Sequence, residues 1–273
     1  MSTNTTDDKR KVTTLRFRQM KERGEKIAML TAYDYSMAQL VDEAGVDAIL
    51  IGDSAANVMA GYSSTLPITL DQMIYHASCV ARGAKRALIV CDMPFGSVQV
   101  SPKEAVANAV RVMKESGAEA VKIEGGEEMR ECIERIIAAG IPVMGHLGLT
   151  PQSINQFGSY ALRAKSEAEA RKLKADAQML QEIGCFGLVL EKIPADLARE
   201  VTQSLDIPTI GIGAGSDTDG QVLVMQDMLG INRGFAPKFL RRYADLGNEI
   251  VDAVGRYVSD VKAVDFPNRD EQY

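Results

Sequence analysis

Eight short apolar runs, separated by longer segments of helical periodicity, constrain this chain more than any other feature. They are Ile27–Leu30, Ala48–Ile51, Ala87–Val90, Ala120–Ile123, Pro142–Met144, Gly187–Leu190, Pro208–Ile212 and Val222–Met225. Most are rich in Val and Ile and apolar on both faces, as parallel strands covered on both sides must be. Residues 36–44, 70–82, 103–116, 127–139, 167–183 and 194–204 carry apolar residues at three- and four-residue spacing, which predicts helices between the strands. Gly45, Gly83, Gly117, Gly140 and Gly184 stand where C-terminal caps belong, and Thr69 and Ser101-Pro102 where helices start. Eight βα units predict a closed (β/α)8 TIM-type barrel, with an open doubly wound sheet as the runner-up.

The length of 273 residues suits this barrel, which takes about 250 residues in one domain. Residues 1–12 are polar and read as a disordered leader, leaving 13–273 as a single barrel domain. A short N-terminal helix carries Leu15, Phe17 and Met20 and closes at Gly24. The seventh and eighth runs lie so close that one short helical turn is expected between them. Pro237 to Lys262 read as closing helices. The longest irregular stretches, Asn57–Pro67 and Thr150–Ser166, are where long loops of a compact domain tend to carry function.

Charge and composition exclude several classes. Lys plus Arg number 31 against 37 Asp plus Glu, a net charge of −6, so the basic surface of a general nucleic-acid binder is missing. Aromatic residues are 5% and Trp is absent, which argues against a base-stacking platform. His76 and His146 are the only histidines, so a three-His metal site is impossible. Cys79, Cys91, Cys132 and Cys185 form no C-x-x-C pair and read as free thiols in a reducing compartment. No signal-peptide core precedes the first helix, and no apolar run approaches the ~20 residues of a membrane span. A cytoplasmic protein is expected.

Barrel enzymes do their chemistry at the carboxyl ends of the strands. There the chain places Thr31, Tyr33 and Asp34, then Asp53-Ser54, Asp92, Lys122 with Glu124, His146, Glu191 and Asp227. Asp53, Asp92 and Glu124 come from three consecutive strands, which lie about 4.8 Å apart. Carboxylates so placed repel one another unless a cation intervenes, and an all-oxygen set suits Mg²⁺ or Mn²⁺. The bland reading makes each a helix cap or loop acid. Lys122 lies two residues before Glu124 and so shares its side of the strand, as a structural ion-pair partner or as a binder of an anionic substrate. His146 is either a hydrogen-bonded core residue or part of the site. Glu191 ends an apolar run, where desolvation favours a general acid or base, with an exposed cap as the alternative. It stands on the sixth strand, roughly across the barrel from the carboxylates. His76 reads as structural, inside a helix. Gly211-Ile-Gly-Ala-Gly215 fails the dinucleotide pattern because position 216 is Ser, but leaves a backbone-lined wall.

Several segments in consistent order resemble the ketopantoate hydroxymethyltransferase family. They are Thr31-Ala-Tyr-Asp-Tyr35, Gly52-Asp-Ser54, Ser64-Thr-Leu-Pro67, Asp92-Met-Pro-Phe95, Val121-Lys-Ile-Glu-Gly-Gly126, Gly145-His-Leu-Gly-Leu-Thr-Pro-Gln152 and Gly211-Ile-Gly-Ala-Gly215. The resemblance runs from about residue 12 to 262. Ala55-Ala56-Asn57 and Gln226 depart from the family pattern. The resemblance implies a homodecameric transferase of pantothenate and coenzyme A biosynthesis. It implies that 5,10-methylenetetrahydrofolate, as co-substrate, donates a hydroxymethyl group to 3-methyl-2-oxobutanoate through a Mg²⁺-stabilised enolate, giving 2-dehydropantoate. By the same resemblance Asp53, Asp92 and Glu124 hold Mg²⁺ directly or through water. Asp53, Ser54, Asp92 and Lys122 contact the 2-oxoacid, Glu191 is the base, and His146 supports it. Two other classes stay open at this stage. One is a related 2-oxoacid barrel resembling isocitrate lyase or phosphoenolpyruvate mutase, disfavoured in its Cys-dependent form because no Cys falls at a predicted loop tip. The other is a non-catalytic oligomeric binding protein that kept the fold.

Overall fold

The computed structural model describes residues 10–273. The chain divides into two compact units, one ending at Leu223 and the other spanning Val224–Tyr273. Helix α1 (Thr14–Glu22) opens the first unit. There follow β1 (Ile27–Thr31), α2 (Tyr35–Glu43), β2 (Ala48–Ile51), α3 (Ala55–Val58), α4 (Leu70–Gly83), β3 (Leu88–Asp92), α5 (Pro102–Ser116), β4 (Ala120–Glu124) and α6 (Arg130–Ala138). Then come β5 (Val143–Gly148), α7 (Ile154–Phe157), α8 (Glu167–Glu182), β6 (Gly187–Glu191), α9 (Ala195–Ser204), β7 (Thr209–Ile212) and β8 (Gly220–Leu223). All neighbouring strands pair in parallel and β1 pairs with β8, which closes the barrel. The eight-stranded barrel expected from the periodicity is therefore present, and the open sheet is not.

Strand side chains alternate in direction, so every second residue enters the barrel. Ile27 and Met29, Ala48 and Leu50, Leu88 and Val90, Ala120, Met144, Val189, Ile210 and Val222 form one buried cluster. Val12, Phe17 and Met20 join it from the amino side. Phe17 meets Phe186, just before β6, edge-to-face at 6.1 Å. Helix α1 thus plugs the amino-terminal mouth of the barrel, and Thr13 caps it by accepting from the Arg16 N–H. Apolar layers fill the barrel below, so the polar inward positions gather at the carboxyl ends.

The last residues of the expected leader, 10–12, are described. Residues 1–9 lie outside the described residues, but Val12 is buried and its N–H bonds to the Arg86 carbonyl. Four of the five predicted glycine caps lie at positive φ; Gly83 does not. It is the last residue of α4, where a Cβ would fall 2.6 Å from the Tyr35 carbonyl, so its role is close packing of α4 on α2. The helical turn expected between β7 and β8 is replaced by an irregular stretch, 213–219. A helix rises about 1.5 Å per residue against about 3.3 Å for extended chain, so only extended chain returns along a strand in so few residues. The eighth strand begins two residues earlier than expected, because Gly220 pairs with both Ile27 and Ile210 where a Cβ would meet the Ile27 carbonyl at 2.4 Å. The fifth strand runs past Met144 to Gly148. His146 therefore sits within a ladder, opposite Glu124 on one side and Val189 on the other.

In the second unit, α10 (Met225–Met228) precedes an irregular stretch and α11 (Leu246–Lys262). The closing helix starts nine residues later than Pro237 because other bonds take the backbone. The Tyr243 N–H bonds to the Met228 carbonyl, and the Arg242 guanidinium donates to the carbonyls of Asn232, Arg233 and Phe235. Asp227 lies in α10 and not at a strand end; the Asn232 amide donates to it at 2.9 Å. Ile250, Val251, Val254, Tyr257, Val258 and Val261 leave α11 with an exposed apolar stripe.

Candidate active site

The carboxyl ends of β2 to β6 bring the sequence-selected residues together. Asp92 ends β3 opposite Lys122 in β4, and Glu124 ends β4 opposite His146 in β5. Asp53 follows β2, and its N–H donates to Asp92 Oδ2 at 3.0 Å. Asp53, Asp92, Lys122, Glu124 and His146 are all buried. Lys122 Nζ lies 3.0 Å from Asp92 Oδ1, 3.9 Å from Glu124 Oε1 and 3.0 Å from His146 Nδ1. The ion pair expected of this lysine is formed. Ser54 accepts or donates a 2.8 Å hydrogen bond with the Tyr33 hydroxyl.

Glu191 is not across the barrel. His146 joins it to the other acids, with Nε2 3.4 Å from Glu191 Oε2 and Nδ1 3.3 Å from Glu124 Oε1. Parallel strands stagger around a barrel, so residues from strands four to six reach one level. Glu191 also keeps a partly exposed side chain, 17% accessible, while His146 retains 3%. The carboxylate therefore faces the open end while its partner stays in the interior. His76, as expected, is structural: its Nδ1 contacts the Tyr33 carbonyl at 2.8 Å.

Electrostatics divide these groups. Burial, then the charges of Glu124 and Asp92, push Asp53 well above the ordinary carboxylate range. Burial also raises Asp92, against the pull of Lys122 and the Asp53 N–H. For Glu124 burial is outweighed by His146, Lys122 and the Gln152 N–H, so its pKa falls. Lys122 moves up despite burial, because Asp92, Glu124 and Asp53 surround it. Burial and Lys122 depress His146, but its bonds to Glu124 and Glu191 win and hold it at about 9. If Nδ1 accepts from Lys122, the neutral ring carries its hydrogen on Nε2; if both nitrogens are protonated, Nε2 again carries one. In either state Nε2–H faces Glu191.

Acids outnumber cations here: Asp53, Asp92, Glu124 and Glu191 against Lys122 and His146. Asp92 Oδ1 is buried and within ion-pair distance of Lys122, yet receives no hydrogen bond of good geometry. Excess buried negative charge and an oxygen short of a donor fit a hard divalent cation. Among the described residues, however, no three His, Cys, Asp or Glu side chains converge as direct ligands. The sequence left open whether these acids would hold the ion directly or through water. Lys122 stands beside both Asp92 and Glu124, and Glu124 turns Oε2 to the Gln152 N–H and Oε1 toward His146. Asp53 and Asp92 are the residues that would hold the ion, with Glu124 reaching it through water.

Sequence reasoning missed Gln152. It lies in the expected functional loop, just after β5, and binds both Asp53 and Glu124. A glutamine beside Thr-Pro carried no metal or proton-transfer signal; only its position in a strand-end loop pointed to it. The loop is tied to the strand end that bears Glu191, for the Arg163 N–H bonds to the Lys192 carbonyl at 2.8 Å and Lys192 Nζ to the Tyr160 carbonyl. Cys91, Cys132 and Cys185 are buried, and burial raises each thiol's pKa, which leaves no activated cysteine among them.

A (β/α)8 barrel with buried acids, a lysine and a His–Glu pair at its carboxyl mouth has the layout of an enzyme that works by acid–base chemistry. The ketopantoate hydroxymethyltransferase family model matches residues 11–269. Proteins described as 3-methyl-2-oxobutanoate hydroxymethyltransferase are similar over 273 residues and the full length of both chains: 66% identical in Parabacteroides distasonis and 64% in Flavobacterium johnsoniae. The chain belongs to the ketopantoate hydroxymethyltransferase family and is a transferase. Among solved structures, a phosphonopyruvate hydrolase in complex with oxalate and Mg²⁺ shares the fold, with a TM-score of 0.60, 11% identity and coverage of 94% of this chain and 92% of that one. A 2,3-dimethylmalate lyase is similar too, at a TM-score of 0.57, 16% identity and coverage of 95% and 90%.

Proposed function

We propose that the chain transfers the one-carbon unit of 5,10-methylenetetrahydrofolate to C3 of 3-methyl-2-oxobutanoate, forming 2-dehydropantoate for pantothenate and coenzyme A biosynthesis. The observation that carries this reading is the juxtaposition of the Asp53–Asp92–Lys122–Glu124 cluster with Glu191 through one imidazole. Asp53 and Asp92 would hold Mg²⁺ or Mn²⁺, with Glu124 behind a water; the bound ion supplies a Lewis acid for the keto oxygen of the substrate. Lys122, kept cationic by its acids, attracts the substrate carboxylate. Ser54, oriented by Tyr33, offers a further hydrogen bond to it.

Glu191 takes the C3 proton. Water adds to the donor methylene carbon and its two C–N bonds break with protonation of the nitrogens, so that tetrahydrofolate leaves and a formaldehyde-level carbon remains; the electron pair at C3 bonds to that carbon, and its oxygen takes up the proton that Glu191 removed. His146, with Nε2 3.4 Å from Glu191, stabilises the carboxylate charge between turnovers. A base bonded directly to the cation would lose its basicity, and Glu191 stands one imbedded imidazole away from Glu124. The exposed apolar stripe of α11 supports the homodecamer expected from the resemblance, because such a face is normally covered by another chain. No described helix is long and apolar enough to cross a membrane. The four free cysteines suit a reducing compartment, which supports placing the enzyme in the cytoplasm, and its net negative charge supports a role without nucleic-acid partners.

Deuterium exchange at C3 of 3-methyl-2-oxobutanoate, run without folate, isolates proton removal. Glu191→Gln abolishes exchange while substrate still binds, and His146→Gln only slows it. Wild-type exchange in Glu191→Gln, together with loss in His146→Gln, would reverse the two roles. A coupled assay of the full reaction with EDTA, then with restored Mg²⁺, tests the cation.

A further inference from the structure

We infer that Gln152 is a positioning residue that sets the direction of the Asp53 carboxylate and so tunes the site's affinity for its divalent cation. This rests on the proposed cation site. Gln152 is 6% exposed. Its carboxamide Nε2 donates to Asp53 Oδ2 at 2.9 Å and to the Met93 carbonyl at 3.0 Å. Both amide hydrogens are therefore used. Its Oε1 accepts from Gln99 Nε2 at 3.3 Å, and Gln99 Oε1 is itself held by the Gly96 N–H at 2.7 Å. A flipped amide would set Oε1 against the Asp53 carboxylate and the Met93 carbonyl, two acceptors, so only one orientation satisfies the network.

The main chain of the same residue does a second task. Its N–H donates to Glu124 Oε2 at 3.0 Å. One residue, in the single 3-10 turn Pro151–Ser153 after β5, thus binds acids that follow β2 and end β4. Taking up Oδ2 leaves the Asp53 carboxylate without free rotation, and Oδ1 is aimed. Among the described residues, Gln152 is the side-chain donor to this carboxylate. Hydrogen-bonded partners of metal-binding carboxylates typically alter affinity 10–100-fold. Replacing the side chain separates the two tasks, since the backbone bond to Glu124 survives.

The probe is Mn²⁺ binding to the full-length protein, followed by isothermal titration and by electron paramagnetic resonance, neither of which needs turnover. In Gln152→Met, of similar shape but without donors, the dissociation constant rises about 10–100-fold. Gln99→Met, which removes the donor to Oε1 while the Asp53 and Met93 acceptors still fix the amide, weakens binding less. The altered coordination also changes the Mn²⁺ resonance line shape, which a loss of general stability would not do. If Gln152→Met does not fold, Gln152→Asn, too short to span to Asp53, is measured and must weaken binding likewise. Binding within twofold of wild type in the folded variant overturns the assignment and leaves the cation site standing. A wild-type protein that binds no Mn²⁺ overturns both.

Discussion

Lys122→Met removes one charge from the centre of the site and keeps nearly the same side-chain length. The ammonium is 3.0 Å from Asp92 and 3.9 Å from Glu124, with all three side chains almost wholly buried. At an effective dielectric constant of about 20, those contacts are worth about 5 and about 4 kcal/mol of attraction. Repulsion from His146 and the cost of desolvating the ammonium cancel much of it. Loss of one partner of a buried pair costs about 3–5 kcal/mol, because the remaining carboxylates are stranded. For a chain of this size that is about 6–20 °C in Tm. The pH dependence has a definite sign. Asp53 and Asp92 already have folded-state pKa values above their unfolded ones, and removal of Lys122 raises them further. Over the interval between unfolded and folded pKa, the native state binds more protons, so stability falls as pH rises. The deficit of the variant is therefore smallest near pH 4 and grows toward pH 8. Scanning calorimetry at fixed protein concentration in EDTA, at several pH values, reads this directly. A Tm within about 2 °C of wild type at pH 8, or a deficit that widens on acidification, would refute the reasoning.

Asp92→Asn lowers turnover by orders of magnitude with an unchanged circular dichroism spectrum; full activity would remove Asp92 from the site. Borohydride in the presence of the 2-oxoacid traps no adduct on Lys122, because its acidic neighbours keep the amine protonated; a reduced adduct found by mass spectrometry contradicts this. Phe17→Ala, at the opposite mouth, costs about 3–5 kcal/mol of stability in denaturant titration and leaves KM unaltered. Val254→Glu on α11 lowers the assembly mass seen by light scattering, and an unchanged mass argues that another face joins the subunits.

The barrel and most residues of the candidate site were legible in the chain because both depend on short-range pattern. Strand runs apolar on both faces, helical spacing between them and caps at Thr69 and Ser101 dictate repeated βα units. Acids at successive strand ends, with Lys122 two residues before Glu124, follow from the alternation of side chains along a strand. Lys122 and His146 each stood out in the chain as candidates while their partners were not determined. Which acids Lys122 meets, and that His146 lies between Glu124 and Glu191, depend on the stagger of strands around a closed barrel, which no local pattern encodes. The same holds for Glu124, whose oxygens are claimed by His146 and Gln152, and for Gln152, drawn from a loop 99 residues beyond Asp53. Local periodicity sets which elements form and which faces they bury; the distances at which buried charges meet are decided only when the barrel closes, because they follow from register and tilt summed over several strands.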